Sequence, residues 1–175
     1  MSDARPRLVL VGTMGSGKTT VSQILAERWG VLARDTDQDV EAAAGRSISD
    51  IFVDDGEQAF RVFEREAVEV ALREHEGVLA LGGGAVLDPD TREALRGHRV
   101  VFLNVGLSDA VKRVGLGSAR PLLLGNVRGR IKALLDERLP VYRAVATMTV
   151  DTDGKTADDV ADEIMEALER MELRG

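Results

Sequence analysis

Continuous apolar runs alternate along this chain with apolar residues spaced as on one face of a helix. Leu8 to Val11 is an unbroken run that ends on Gly12, and Val21, Ile24 and Leu25 follow at helical spacing. The pattern predicts a buried strand, a turn, and a helix that begins around Gly17 and stops near Trp29-Gly30, with Trp29 as core packing. Gly30 to Asp35 reads as a short second strand. Helices are predicted from Asp39 to Ala44, stopped by Gly45, and onward from Ser47-Ile48-Ser49-Asp50, which has the form of a capping box, toward Phe52. Glu57 to Glu74 carries Phe60, Phe63, Ala67, Val70 and Ala71 at helical spacing, and Val78 to Leu81 is a third strand. Asp88-Pro89 opens a helix that ends near Gly97, with Pro89 suited to its first turn. Val100 to Val105 is the fourth strand, and Ser108 to Val114 a short helix. Gly115 to Gly129 is expected to be irregular, Arg130 to Ala146 helical, and Met148 to Asp151 the last strand. Thr156 with Asp159 caps a final helix whose apolar face is Val160, Ile164, Leu168 and Met171.

Strands that alternate with helices imply an α/β fold with a parallel sheet covered on both faces. No linker or internal repeat divides residues 1–175, so one domain is expected. The strand order does not follow from the pattern.

Composition narrows the function classes. Hydrophobic content of 44% and charged content of 30% are those of a soluble globular chain. No apolar run approaches the ~20 residues of a membrane helix, and MSDARPR has no apolar signal region. Cytoplasmic residence, no membrane association and a monomer are the expectations. The absence of cysteine removes disulfides, thiolate metal sites and a cysteine nucleophile. A net charge of −7 argues against nucleic acid as partner. That charge is uneven: Lys112 to Arg143 holds eight bases against two acids, and Asp151 to Gly175 nine acids against three bases. The basic segment is either a solvated helix face or a local anion site.

The turn after the first strand carries the chemistry. Gly12-Thr13-Met14-Gly15-Ser16-Gly17-Lys18-Thr19 has the spacing of a phosphate-binding P-loop. Its glycines bring backbone N–H groups close to a ligand, and the helix N-terminus adds unpaired donors. Lys18 supplies a point charge for the β- and γ-phosphates, and the Thr19 hydroxyl is placed to ligate Mg²⁺. Ligands of such sheets bind at the carboxyl ends of the strands. Four features fall there: the P-loop, Asp35 with Asp37, Gly82 to Gly84, and the segment after Val105. Of the two aspartates, one can sit near the metal while the other reaches a substrate hydroxyl, and their proximity raises the pKa of one. Arg61 pairs either with Glu57 on the helix surface or with Glu64, which would orient it toward an anionic substrate group. Gly82-Gly83-Gly84 is either a turn or a place where backbone N–H groups approach a ligand.

Six motifs occur in order between about residues 8 and 151: G-x-M-G-S-G-K-T-T, then Asp35-Thr36-Asp37, Phe60-Arg61-x-x-Glu64, Leu81-Gly-Gly-Gly-Ala85, Arg120-Pro-Leu-Leu, and Glu137-Arg138-x-Pro140-x-Tyr142. In this the chain resembles the shikimate kinases. The resemblance implies a three-layer αβα fold with a five-stranded parallel sheet in the order 2-3-1-4-5, substrate-binding helices over residues 37–74, and a mobile lid over 115–126. It implies transfer of the ATP γ-phosphoryl to the 3-hydroxyl of shikimate, a step toward chorismate and the aromatic amino acids. It implies that Gly15, Ser16, Gly17, Lys18, Thr19, Thr20, Arg113, Arg120 and Lys155 bind ATP, and that Thr19 and Asp35 hold Mg²⁺. Asp37, Phe52, Phe60, Arg61, Gly82, Gly83, Gly84 and Arg138 would bind shikimate, with Asp37, Lys18 and Arg120 catalytic. The chain differs from the family pattern at Arg34, where an apolar residue is expected, and in the proline-free loop Thr152-Asp153-Gly154-Lys155. A gluconate kinase is the nearest enzymatic alternative.

Overall fold

The computed structural model describes residues 5–117 and 127–174, and the side chains of 5–113 and 127–173. Five strands form one parallel sheet: β1 (Leu8–Val11), β2 (Ala33–Asp35), β3 (Val78–Ala80), β4 (Val100–Asn104) and β5 (Met148–Asp151). Their order is β2-β3-β1-β4-β5, as the resemblance implied. β1 lies at the centre, with Leu8 opposite Val78 and Val9 opposite Val100. All four of its residues are buried, so the unbroken apolar run is explained by burial on both faces.

Successive side chains of β1 feed two cores, because they point to opposite faces. Leu8 and Leu10 pack with Leu25 of α1 (Lys18–Trp29), with Leu103, and with Ile164 of the C-terminal helix Ala157–Arg174. Val9 and Val11 pack with Leu79, Phe102, Val68 and Tyr142 on the other face. The helices between β2 and β3 are α2 (Thr36–Ala44), α3 (Ile48–Asp55) and α4 (Glu57–Glu74). They enclose a third, separate core of Val40, Ile51, Phe60 and Ala67. Phe60, Phe63 and Ala67, at helical spacing on α4, supply its α4 side, while Val40 and Ile51 join it only through the fold.

The remaining helices are α5 (Pro89–Ala94), α6 (Leu107–Gly117), α7 (Val127–Val145) and α8 (Ala157–Arg174). The Thr156/Asp159 capping box forms with both reciprocal bonds at 3.1 Å, and Ser47 Oγ accepts from the Asp50 N–H at 3.1 Å. Several boundaries differ from expectation. β2 is shorter than Gly30 to Asp35, because Gly30 closes α1 in a left-handed conformation. The stretch expected to be irregular is helical at both ends, up to Gly117 and from Val127, while 118–126 lies outside the described residues. A single 3₁₀ turn, Ala85–Leu87, separates the glycine run from α5. Met171 is exposed, so the apolar face of α8 ends at Leu168.

Arg34 has a physical account. It lies on edge strand β2, where a half-exposed site tolerates a charge. Its guanidinium bridges Asp39 of α2 at 2.7 Å and Glu74 of α4 at 3.4 Å.

Candidate active site

The carboxyl ends of β1, β2 and β3 open into one cleft of ≈ 510 Å³. On its floor lies the P-loop, whose backbone needs glycine: Gly15 and Gly17 have φ of +80° and +92°. Gly17 is the N-cap of α1 and offers no side-chain cap, so the N–H groups of the first turn stay free for an anion. Lys18 Nζ donates to the carbonyls of Gly12 at 2.7 Å and Thr13 at 2.9 Å. Burial pushes its pKa down to about 8, against the pull of Asp37 and Asp35. Such an ammonium is restored to full charge by a phosphate.

Thr19 and Asp35 stand side by side at the end of β2, with Oγ1 and Oδ2 3.4 Å apart. The other Asp35 oxygen caps α2 by accepting the Asp37 N–H at 2.9 Å. This hydroxyl–carboxylate pair suits Mg²⁺, which takes one or two protein oxygens and completes its shell with phosphates and water. Among the described residues no group of three or more acidic, histidine or cysteine ligands gathers.

Asp37 sits in the first turn of α2, inside the cleft. Burial, and then the charge of Asp35, hold its carboxyl above the ordinary range, while Lys18 pulls the other way. That balance suits a proton acceptor.

The glycine run meets Asp37 and two arginines. A Cβ on Gly82 would lie 2.5 Å from Asp37 Oδ1 and 3.0 Å from Glu64 Oε2. One on Gly84 would lie 2.6 Å from Arg61 Nη1, and one on Gly83 3.4 Å from Arg138 Nη1. None of the three has a positive φ. Their lack of side chains makes space for Asp37, Arg61 and Arg138, a reason separate from conformational freedom. The N–H groups of Gly83 and Gly84 have no protein acceptor among the described residues. Gly82→Ala is therefore expected to displace the Asp37 carboxylate and to lower turnover by about tenfold or more, with ATP binding retained. Separate titration of the two substrates checks this.

Both candidate partners of Arg61 are present, and they are unequal. Glu64 binds Nη1 at 2.8 Å and is 3% exposed, whereas Glu57 is exposed and reaches Nη2 at 3.4 Å. Burial raises the Glu64 pKa against the pull of Arg61. Phe60, tilted 35° against Phe52 with ring centroids 4.9 Å apart, supports the Arg61 guanidinium from 5.3 Å. Arg138 projects from α7, and its Nε is buried with no acceptor among the described residues. Two guanidiniums and free backbone donors thus face one region, an arrangement that suits a carboxylate.

Other expected residues lie elsewhere. The segment after Val105 does not line the cleft; Gly106 N–H is bound by the Asp153 carboxylate at 2.9 and 3.0 Å. Arg113 donates to the Gly15 carbonyl at 2.8 Å, bracing the P-loop from α6. Lys155 pairs with Glu163 at 2.6 Å. Ser16 is buried within the loop, and Thr20 lines the cleft. Arg120 and most of the expected lid lie outside the described residues. Sequence pattern did not point to Thr36, whose buried Oγ1 accepts the Gly82 N–H at 3.1 Å and ties the aspartate pair to the glycine run. A small hydroxyl between two aspartates was the only trace of it.

The family model for shikimate kinase matches residues 14–169. A shikimate kinase of Thermobifida fusca is 58% identical over 165 residues, which cover 94% of this chain and 96% of that protein. One of Salinispora arenicola is 62% identical over 159 residues, 91% of this chain and 95% of that protein. The solved shikimate kinase from Acinetobacter baumannii, in complex with shikimate, superposes with a TM-score of 0.89 at 35% identity, covering 98% of this chain and 97% of that one. By sequence and fold alike, the chain belongs to the shikimate kinase family.

Proposed function

We propose that this chain transfers the γ-phosphoryl of ATP to the 3-hydroxyl of shikimate, giving shikimate 3-phosphate and ADP, a step in chorismate and aromatic amino acid biosynthesis. The observation that carries it is the placement of Arg61, Arg138 and the glycine run beside Asp37, in the same cleft as the P-loop. The two guanidiniums and the glycine N–H groups hold the carboxylate of the acceptor. Phe52 and Phe60 wall its ring. Asp37 then faces the hydroxyl that reacts.

In the reaction a bond forms between that hydroxyl oxygen and the γ-phosphorus as the bond from the γ-phosphorus to the bridging oxygen of ADP breaks. The hydroxyl proton passes to the Asp37 carboxylate. Phosphoryl transfer of this kind is governed by alignment and charge neutralisation. Lys18 and the P-loop N–H groups hold the phosphates. Thr19 and Asp35 would hold Mg²⁺, which when bound neutralises charge on the β- and γ-phosphate oxygens. Arg120 is assigned to the transferring group on the family resemblance. Arg113 and Lys155 are likewise assigned to ATP on the family resemblance. ATP as co-substrate supports a cytoplasmic site of action. Among the described residues no helix is long and apolar enough to cross a membrane.

A coupled assay of ADP release, with shikimate, gluconate and nucleoside monophosphates side by side, tests the assignment. Turnover is expected with shikimate alone and is lost when Mg²⁺ is chelated. Turnover with gluconate but not shikimate would overturn it.

A further inference from the structure

Tyr142 is 1% exposed and is the only tyrosine in the chain, yet it lines no part of the cleft. Its ring stacks on Phe102 of β4 with centroids 4.9 Å apart at 24°. Its hydroxyl donates to the Gly83 carbonyl. Tyr142 lies one turn beyond Arg138 on α7, so the two side chains share a face. The rung of the helix between them is weakened, because Pro140 has no N–H to donate to Asp136.

The consequence for the acceptor site follows from peptide geometry. In a trans peptide the carbonyl and the next N–H point in opposite directions. Anchoring the Gly83 carbonyl on Tyr142 therefore turns the Gly84 N–H away from Tyr142. That N–H has no protein acceptor among the described residues, and Gly83 and Gly84 both line the cleft. Glycine has no side chain to hold such a plane by packing. Gly83 also touches the P-loop, since a Cβ there would lie 3.4 Å from the Met14 nitrogen. Tyr142 borders a smaller cavity of ≈ 180 Å³ with Thr13, Phe102, Val105 and Leu139.

We infer that Tyr142 is a positioning residue for the acceptor: its hydroxyl sets the Gly83–Gly84 peptide plane, and its ring sets the register of α7 that aims Arg138. This rests on the proposed carboxylate site between Arg61 and Arg138. Tyr142 touches neither substrate nor the reacting atoms.

Tyr142→Phe in the full chain keeps the ring and the stack and removes the hydroxyl, which donates to Gly83 and pairs with the Arg138 guanidinium. The KM for shikimate is expected to rise roughly five- to tenfold, the scale of an unsatisfied buried acceptor. Both kcat and the KM for ATP should stay within about twofold, since the P-loop and Asp37 are untouched. Unchanged KM values, or equal rises for both substrates alongside a lower melting temperature, would reduce Tyr142 to a packing residue and overturn the inference. A second measurement needs no substitution. Growth on 3-fluorotyrosine labels this side chain alone, and its ¹⁹F resonance should move on saturation with shikimate more than with ATP. An unmoved resonance with shikimate would also overturn the inference. Failure of the unaltered chain to phosphorylate shikimate would instead strike the proposed function, so the two failures are separable.

Discussion

Asp37→Asn is expected to leave the fold and ATP binding intact and to lower kcat by ~10²–10⁴-fold, the usual cost of losing a general base. An amide preserves the shape of the side chain and cannot take the hydroxyl proton. The pH profile separates this from a general disturbance. The base must be ionised, so kcat/KM rises with pH through the Asp37 pKa, which burial and Asp35 hold above the ordinary carboxylate range. Lys18 must be protonated to hold phosphate, so kcat/KM falls again as pH passes about 8 in the free enzyme. Bound phosphates raise the Lys18 pKa, and the alkaline limb of kcat should therefore lie higher than that of kcat/KM. In Asp37→Asn the acidic limb should vanish and the alkaline limb remain. Stopped-flow or coupled assays across pH 4–10 decide this. A loss of less than about fivefold, set against that range, would move the base elsewhere.

Arg61→Ala and Arg138→Ala should each weaken shikimate by on the order of 2–5 kcal/mol, the range for truncating one partner of a buried charge pair. ATP affinity should change little in either. The variants should differ in stability. Arg61 neutralises Glu64, which is 3% exposed, so its removal strands a buried carboxylate and should lower the melting temperature. Arg138 acts on Glu64 through charge without a hydrogen bond, so Arg138→Ala should lower the melting temperature less. Arg61→Lys should rescue only in part, because an ammonium cannot serve Glu64 and a substrate carboxylate with one planar fork. Calorimetric titration with shikimate, beside thermal melts, tests both statements. Normal shikimate affinity in the two alanine variants would remove the carboxylate clamp.

Much of the architecture was legible because it is local. An apolar run buried on both faces marks β1, and Gly12 to Thr19 announces its phosphate site by spacing alone. Helix starts were readable from Ser47, Asp88 and Thr156, since a cap is made by residues two or three apart. The irregular reading of Gly115 to Gly129 ran too wide because glycine lowers helix propensity without forbidding a helix that has a packing partner.

The sequence by itself determined the α/β class, the P-loop, the aspartate pair, and through six ordered motifs the family. Each of these depends on neighbours within a few residues, whose spacing dictates burial, turn geometry or a donor array. Tertiary structure decided what the motifs do to one another. Gly82 is small because Asp37 and Glu64 occupy the place of its Cβ, and Gly84 because Arg61 does. Arg34 is tolerated because β2 is an edge, and Glu64 is the stronger partner of Arg61 because α4 buries it. Tyr142 reaches Gly83 from 59 residues away along the chain. Such contacts leave no period in the sequence, since they are set by how helices lie on a sheet whose order the pattern does not encode.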